Sequence, residues 1–340
     1  MRGENPTRVV VIGTSAIALE ATLMRWPCLH ASFTAQERAR WTLALAMTQS
    51  PTRRGRSWQT VLPILVEDED GSMEVVGTGF VVLVKGRQAH LVTAGHVNDY
   101  IQRKDRPNPR SHWSTPRDFV APEYRVELRN VRPFVIYRHP TRGTCRVPIE
   151  AWVDLKNADL ALCSIRFGDR IPPDVLFEKR FPLDTRPVRK GESICALGYA
   201  EGKIQPIDGG VEAWTFGGAW RQVYGTVADP APEFSLPGMT AARFQCDVTF
   251  CHGMSGGPVC SGGPTGEIVV RGVVSGADMA SMIWQILLMP VSLPTPDGNI
   301  TGRTLLDLER EGVLIDRGRG SNHTHVERSP EGQVISASWQ

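Results

Sequence analysis

At 340 residues, 41% of them apolar and 22% charged, the chain exceeds a typical single domain and can fill one large core or two small ones. Its net charge of +2, with 38 basic side chains scattered among 36 acidic ones, leaves no electrostatic footprint for nucleic acid or an anionic membrane and reads as a solvated surface. No run of about 18 apolar residues is present, so no membrane span is expected.

In chain order, residues 1–57 form an N-terminal extension for which several readings stand side by side. Arg2 and Arg8 lie at or ahead of a short apolar run, as in a signal peptide over residues 1–22. Glu20 and the lack of a clean small-x-small cleavage site count against that reading. Gly13 follows an apolar run as in a dinucleotide-binding unit, but Ser15 and Ala18 replace the second and third glycines of that fingerprint. Met47 is a further candidate start, which would make the first 46 residues untranslated or a loose appendage.

From Gln59 the pattern changes to short β-like runs separated by turn residues. "TVLPILVED", "MEVVGTGFVVLVKG", "QAHLVTAGHV", "YRVELRNV", "RPFVIYRH" and "DLALCSI" make a first group. "SICALGYA", "RQVYGTV", "ARFQCDVTF", "GGPVC", "EIVVRGVVSG" and "WQILLMPVSL" make a second. Runs this short, with no amphipathic helices between them, predict antiparallel barrels or sandwiches. Residues 101–123, rich in Pro and Arg, read as a surface loop. Arg166 to Val188, with Pro172, Pro173, Pro182 and Pro187, reads as an irregular connection between the groups. Leu305, Leu308 and Val313 are spaced to bury one helical face, and the polar tail after Arg317 is expected to lack order.

The seven cysteines are odd in number and form no ladder of spacings, so a secreted disulfide scaffold is not indicated. Cys246, Cys251, His252 and Cys260 match no familiar pair of zinc-ligand hooks, and no metal is expected.

Three separated signals carry chemistry. "LVTAGHV" puts His96 just after an apolar run, at a turn; "NADLALCSI" puts Asp159 immediately before one; "GMSGGPV" puts Ser255 on a glycine-rich turn entering a strand. Each alone is an ordinary turn or strand-end residue. Together they supply what acyl transfer needs. A serine hydroxyl requires a base to take its proton, imidazole can take it and return it, and a carboxylate fixes the imidazole tautomer. Glycines beside the serine let the backbone N–H groups of Gly253 and Ser255 point together at a developing oxyanion. The order His, Asp, Ser fits neither of the two common α/β arrangements and agrees with an all-β chain.

On these residues the chain resembles the trypsin-like, chymotrypsin-fold serine proteases. "TAGHV", "DLAL" and "GMSGGPV" are similar to that family's histidine, aspartate and serine motifs. "GTGFVV", "SICALGYA" and "GVVSGA" extend the likeness over roughly Gln59 to Leu293. The resemblance implies an all-β fold of two antiparallel six-stranded Greek-key barrels with a short C-terminal helix. A first barrel over 58–170 would carry His96 and Asp159, and a second over 171–295 would carry Ser255. Residues 296–340 would form the helix and polar tail.

The implied activity is serine endopeptidase, acting on a protein or peptide through an acyl-enzyme, with no cofactor or metal. His96 would be general base and acid, Asp159 the orienting carboxylate and Ser255 the nucleophile. Met254 stands where family members activated by proteolysis place an acid that pairs with a new N-terminal ammonium. It cannot make that pair, so activity without zymogen cleavage is expected, as in many bacterial and viral relatives. On an ungapped local alignment Thr249 lies near the base of the substrate side-chain pocket, and Ser275, Gly276 and Ala277 form its wall and pair with a peptide backbone. No carboxylate is placed to select Arg or Lys. A small, apolar or uncharged side chain before the scissile bond is expected, unless His252 faces the pocket and favours an acidic one.

Cys195 and Cys260 fall near a family disulfide, but Cys260 is one residue out of register, so no bond is predicted. The cysteine pairs that staple secreted relatives near the histidine are missing, which favours a reducing, cytoplasmic compartment; residues 1–22 acting as a signal peptide would instead mean secretion or the periplasm. Two other readings share the residues: a catalytically idle binding module on the same fold, and an esterase or acyl transferase using the same triad. Nothing in the sequence sets the oligomeric state.

Overall fold

A computed structural model of the chain describes residues 59–339 apart from 70, 106–123, 126–129, 140–142, 156–157, 168–179, 201, 205–219, 233–241, 263–266, 292–302, 315, 318–323 and 329–333. The N-terminal extension, and with it each reading of residues 1–57, lies outside the described residues.

The first group of apolar runs becomes β1 (Val61–Glu67), β2 (Met73–Lys85), β3 (Gln88–Ala94), β4 (Tyr124–Arg125), β5 (Arg132–His139), β6 (Gly143–Leu155) and β7 (Leu160–Arg166), with helix α1 (Gly95–Asp105) after β3. Six of these strands run in the antiparallel order β1-β5-β6-β7-β3-β2, and pairing of β1 with β2 closes them into a barrel; β4 adds to β6. The second group supplies β8 (Ser193–Tyr199), β9 (Gly202–Ile204), β10 (Trp220–Asp229), β11 (Arg243–Cys246), β12 (Pro258–Gly262), β13 (Ile268–Val274) and β14 (Met279–Met282). All but β9 close a second six-stranded barrel in the order β10-β11-β14-β13-β12-β8. β9 pairs instead with Met73–Val75 of β2, so chain from the second half completes an edge of the first.

Why the strands read as unbroken apolar runs is plain from their two faces. On β8, Ile194 and Ala196 point into the second barrel, where they meet Phe244, Met254 and Val259. Cys195 and Leu197 point the other way, into a cluster that also takes Phe80, Val82 and Leu160 of the first barrel. A third cluster, with Ile64, Leu91, Val135 and Trp152, fills the first barrel. Each strand facing the partner barrel is therefore buried on both sides, which replaces the polar–apolar alternation of a half-solvated sheet.

Several expectations need correction. His96 lies in the first turn of α1 rather than in a bare turn, and residues 101–105 of the expected loop belong to that helix, while 106–123 lie outside the described residues. Most of "WQILLMPVSL" is not a strand: Ile283–Leu288 is a buried 3₁₀ helix, because a short run that is apolar on every side fits either element. β14, "MASM", is absent from the predicted strands, being only four residues long.

The C-terminal helix, α2 (Leu305–Arg310), has a Thr304–Asp307 capping box and buries Leu305, Leu306 and Leu308. Val313 lies past its end and is exposed. Before α2, Pro290–Val291 (β15) pairs with Arg303–Thr304 (β16); after it, Thr324–Arg328 (β17) and Val334–Trp339 (β18) form a hairpin where an unordered tail was expected. Finally, Cys260 sits opposite Cys195 in the same cluster, both buried and both free thiols. A bulge between Val259 and Cys260 in the pairing with β13 takes up the one-residue offset.

Candidate active site

The His–Asp pair follows from strand register. β3 and β7 are antiparallel neighbours with Ala94 opposite Leu160, so the residues just after Ala94 and just before Leu160 meet at one end of the first barrel. The His96 N–H donates to Asp159 Oδ1 at 2.8 Å, and His96 Nδ1 lies 3.1 and 3.0 Å from Oδ1 and Oδ2. Asp159 has φ of 51°, a left-handed conformation that Asp tolerates better than most residues. Its side chain is 7% exposed, against 42% for His96, so the carboxylate is covered while the imidazole remains accessible. Burial is the largest single influence on the imidazole and lowers its pKa. The hydrogen bond and charge of Asp159, with the charge of Asp99, outweigh it, and the net displacement is upward; Arg243 opposes them.

The Ser255 turn is built from main chain. Thr78 N–H on β2 donates to the Ser255 carbonyl at 2.8 Å, and Thr78 Oγ1 donates to the Gly253 carbonyl at 2.8 Å while accepting the Tyr199 N–H at 2.9 Å. Gly256 N–H donates to the Val274 carbonyl and Gly257 N–H to the Met254 carbonyl, each at 2.8 Å. Gly256 has φ of 86°, and a Cβ there would stand 2.1 Å from Thr93 Oγ1 and 2.7 Å from Ala94 N. The serine turn is thus pressed against the end of β3, two residues before His96.

Gly253, at φ of 86°, turns the chain ahead of Ser255. Among the described residues neither the Gly253 nor the Ser255 N–H is hydrogen-bonded. No hydrogen bond joins Ser255 Oγ to His96 among them either.

The residues expected around a side-chain pocket are only partly brought together. Ser275 is buried, and its N–H donates to the Met279 carbonyl at 3.0 Å. Gly276 is half-buried and Ala277 exposed. Thr249 and His252 are both exposed, a placement that does not suit Thr249 to a pocket floor. Phe250, unremarked in the sequence, is the buried residue of that segment, and its N–H donates to the Ala277 carbonyl at 2.5 Å, joining the two flanking segments directly. The four residues weighed as zinc ligands stay apart: Cys246 and Cys260 lie in different core clusters, while Cys251 and His252 are exposed.

Two more residues at the site escaped the sequence reading. Thr78 sits inside "GTGFVV", where a threonine between glycines in an apolar run is the only hint of its strap to the serine turn. Arg243 opens β11, and its Nη2 lies 3.7 Å from Asp159 Oδ2 with the side chain 11% exposed. In "RFQC" it alternates with Phe244 and Cys246 of the barrel interior, which predicts a solvated face; the first barrel covers that face instead.

Two closed antiparallel barrels, with a histidine–carboxylate pair at the end of one and a glycine-bounded serine turn of the other fastened against it, define a chymotrypsin-like protein. The family model of the trypsin-like peptidase domain matches residues 77–269, more than half of the chain, and the chain belongs to that family. Among solved structures it is similar to Deg5, with a TM-score of 0.42 and 20% identity, covering 75% of this chain and 93% of that one. It is also similar to the thermostable serine protease AL20 from an extremophilic microorganism, with a TM-score of 0.40 and 12% identity, covering 66% and 90% of the two chains. No curated protein matches.

Proposed function

We propose that the protein is a serine endopeptidase that cleaves peptide bonds after small residues and is active without zymogen cleavage. The observation that carries the reading is the His96–Asp159 pair at the end of the first barrel with the Ser255 turn strapped against it. In the proposed reaction His96 Nε2 takes the Ser255 hydroxyl proton as Oγ attacks the substrate carbonyl. The N–H groups of Gly253 and Ser255 receive the oxyanion, and His96 returns the proton to the leaving amine. Water, deprotonated by the same imidazole, then releases the acyl group.

Packing at Met254 supports activity without a cleavage switch. Met254 is fully buried among Phe250, Val259 and Val274, and its N–H donates to the Cys251 carbonyl at 3.1 Å. Apolar contact thus occupies the place where other family members need a charge pair. The Phe250–Ala277 hydrogen bond supports the small-residue preference, because a bulky side chain would have to part the two segments it joins.

The absence of a Ser255–His96 hydrogen bond among the described residues favours a second reading, an idle module of the same fold, although such bonds commonly tighten only on substrate. Labelling of the uncut full-length chain by a fluorophosphonate probe, absent in Ser255→Ala, is the expected result. Failure of the wild-type chain to label until trimmed near residues 53–58 would overturn the zymogen-free reading, and failure after trimming would favour the idle module.

A further inference from the structure

The Asp159 carboxylate has a second cationic neighbour. Arg243 reaches it from the second barrel, Nη2 to Oδ2 3.7 Å, yet its buried Nε and Nη2 atoms make no hydrogen bond among the described residues. A buried guanidinium is ordinarily hydrogen-bonded throughout, because each unpaired donor taken from water costs free energy. Arg271 on β13 shows how this chain treats a structural arginine. Its Nη1 lies 2.8 Å from Asp184 Oδ1, its Nε lies 2.9 Å from Glu192 Oε1, and its Nη2 donates to the Pro187 carbonyl at 2.8 Å. Among the described residues Arg243 has no such set and faces a single anion. Beside it Ser281, opposite Arg243 on β14, donates to the Ala158 carbonyl at 2.7 Å, so this edge of the second barrel holds the segment carrying Asp159 at two adjacent points.

We propose that Arg243 is a positioning residue for the triad, a cation supplied by the second barrel that holds the Asp159 carboxylate turned toward His96. The inference rests on reading His96, Asp159 and Ser255 as the reactive set. It also has a consequence for the imidazole, around which stand Asp159 at the head of β7, Asp99 on α1 and Arg243 on β11. The two carboxylates favour the imidazolium and the guanidinium opposes it. Arg243 therefore keeps more of His96 neutral, and able to accept a proton, at the acid end of the pH profile.

NMR titration of the His96 ring in the full chain tests this, comparing Ser255→Ala with Ser255→Ala/Arg243→Met so that self-cleavage is absent. Removing the cation is expected to raise the His96 pKa by about half a unit or more, and to move the acidic limb of kcat/KM upward equally when Ser255 is present. Arg243→Lys, which keeps the charge, is expected to recover most of the shift. An unmoved ring in Arg243→Met, or a lysine variant that titrates like the methionine one, overturns the proposal. If Arg243→Met fails to fold, Arg243→Gln carries the same comparison. Because the titration needs no turnover, a shifted ring in a chain that cleaves nothing would sink the protease reading alone.

Discussion

His96 and Asp159 come from one barrel and are held to each other by side-chain hydrogen bonds, whereas Ser255 comes from the other and is held by its main chain. The first pair depends on chemical identity: a carboxylate just before β7 and an imidazole in the first turn of α1, just past the end of the neighbouring β3. The serine turn depends on space, since Thr78, Thr93 and Ala94 press so closely on Gly256 that no side chain fits. Substitutions in the two halves should therefore fail in different ways, chemically in one and sterically in the other.

The largest effect is expected at the acid. Asp159→Asn preserves the shape of the side chain but presents the wrong partner to His96 Nδ1, and turnover should fall about 10⁴-fold in a chain that still folds. A normal kcat in that variant would break the assignment of the first half. Gly256→Ala tests the second half. Its Cβ would overlap Thr93 Oγ1 and the Thr78 carbonyl at a left-handed φ, so a loss of about 3 kcal/mol or more is expected together with activity. Denaturant melts read the stability, and an unchanged midpoint would show that the turn is looser than its contacts imply.

A smaller effect sharpens the contrast within β3 itself, which carries one fully buried histidine and leads to another, more accessible one just past its end. His90 is fully buried, with Nδ1 3.1 Å from Ser164 Oγ and Nε2 without a hydrogen bond among the described residues, and burial lowers its pKa to about 4. The folded state thus binds this proton less readily than the unfolded chain. The contribution to stability is complete above about pH 6.5 and is lost as pH falls toward 4, by at most about 3 kcal/mol. His96, displaced upward by its carboxylates, works in the opposite sense: what it adds is present below about pH 6.5 and is lost as pH rises through its folded pKa. Melting temperatures at pH 7 and 4.5 for wild type and His90→Leu check this, the variant being less acid-sensitive.

The barrels and the meeting of His96 with Asp159 are legible because both depend on local pattern: short apolar runs between turn residues, and residue types placed just beyond the ends of such runs. What was missed depends on the contact between barrels. Arg243 reads as surface from the alternation of its own strand, since nothing in "RFQC" says that its outer face meets Asp159. Cys260 reads as misaligned because a bulge is invisible to counting by twos. Ile283–Leu288 reads as a strand because burial on every side removes the periodicity that separates the two elements. Thr249, placed by counting back from Ser255, is exposed while Phe250 turns inward.

Peptide-library cleavage read by mass spectrometry, with the uncut full-length chain beside Ser255→Ala, tests the central claim most directly. Cleavage after small residues by the wild-type chain, lowered about 10⁴- to 10⁶-fold by the substitution, is the result predicted. Cleavage that persists in Ser255→Ala would contradict it.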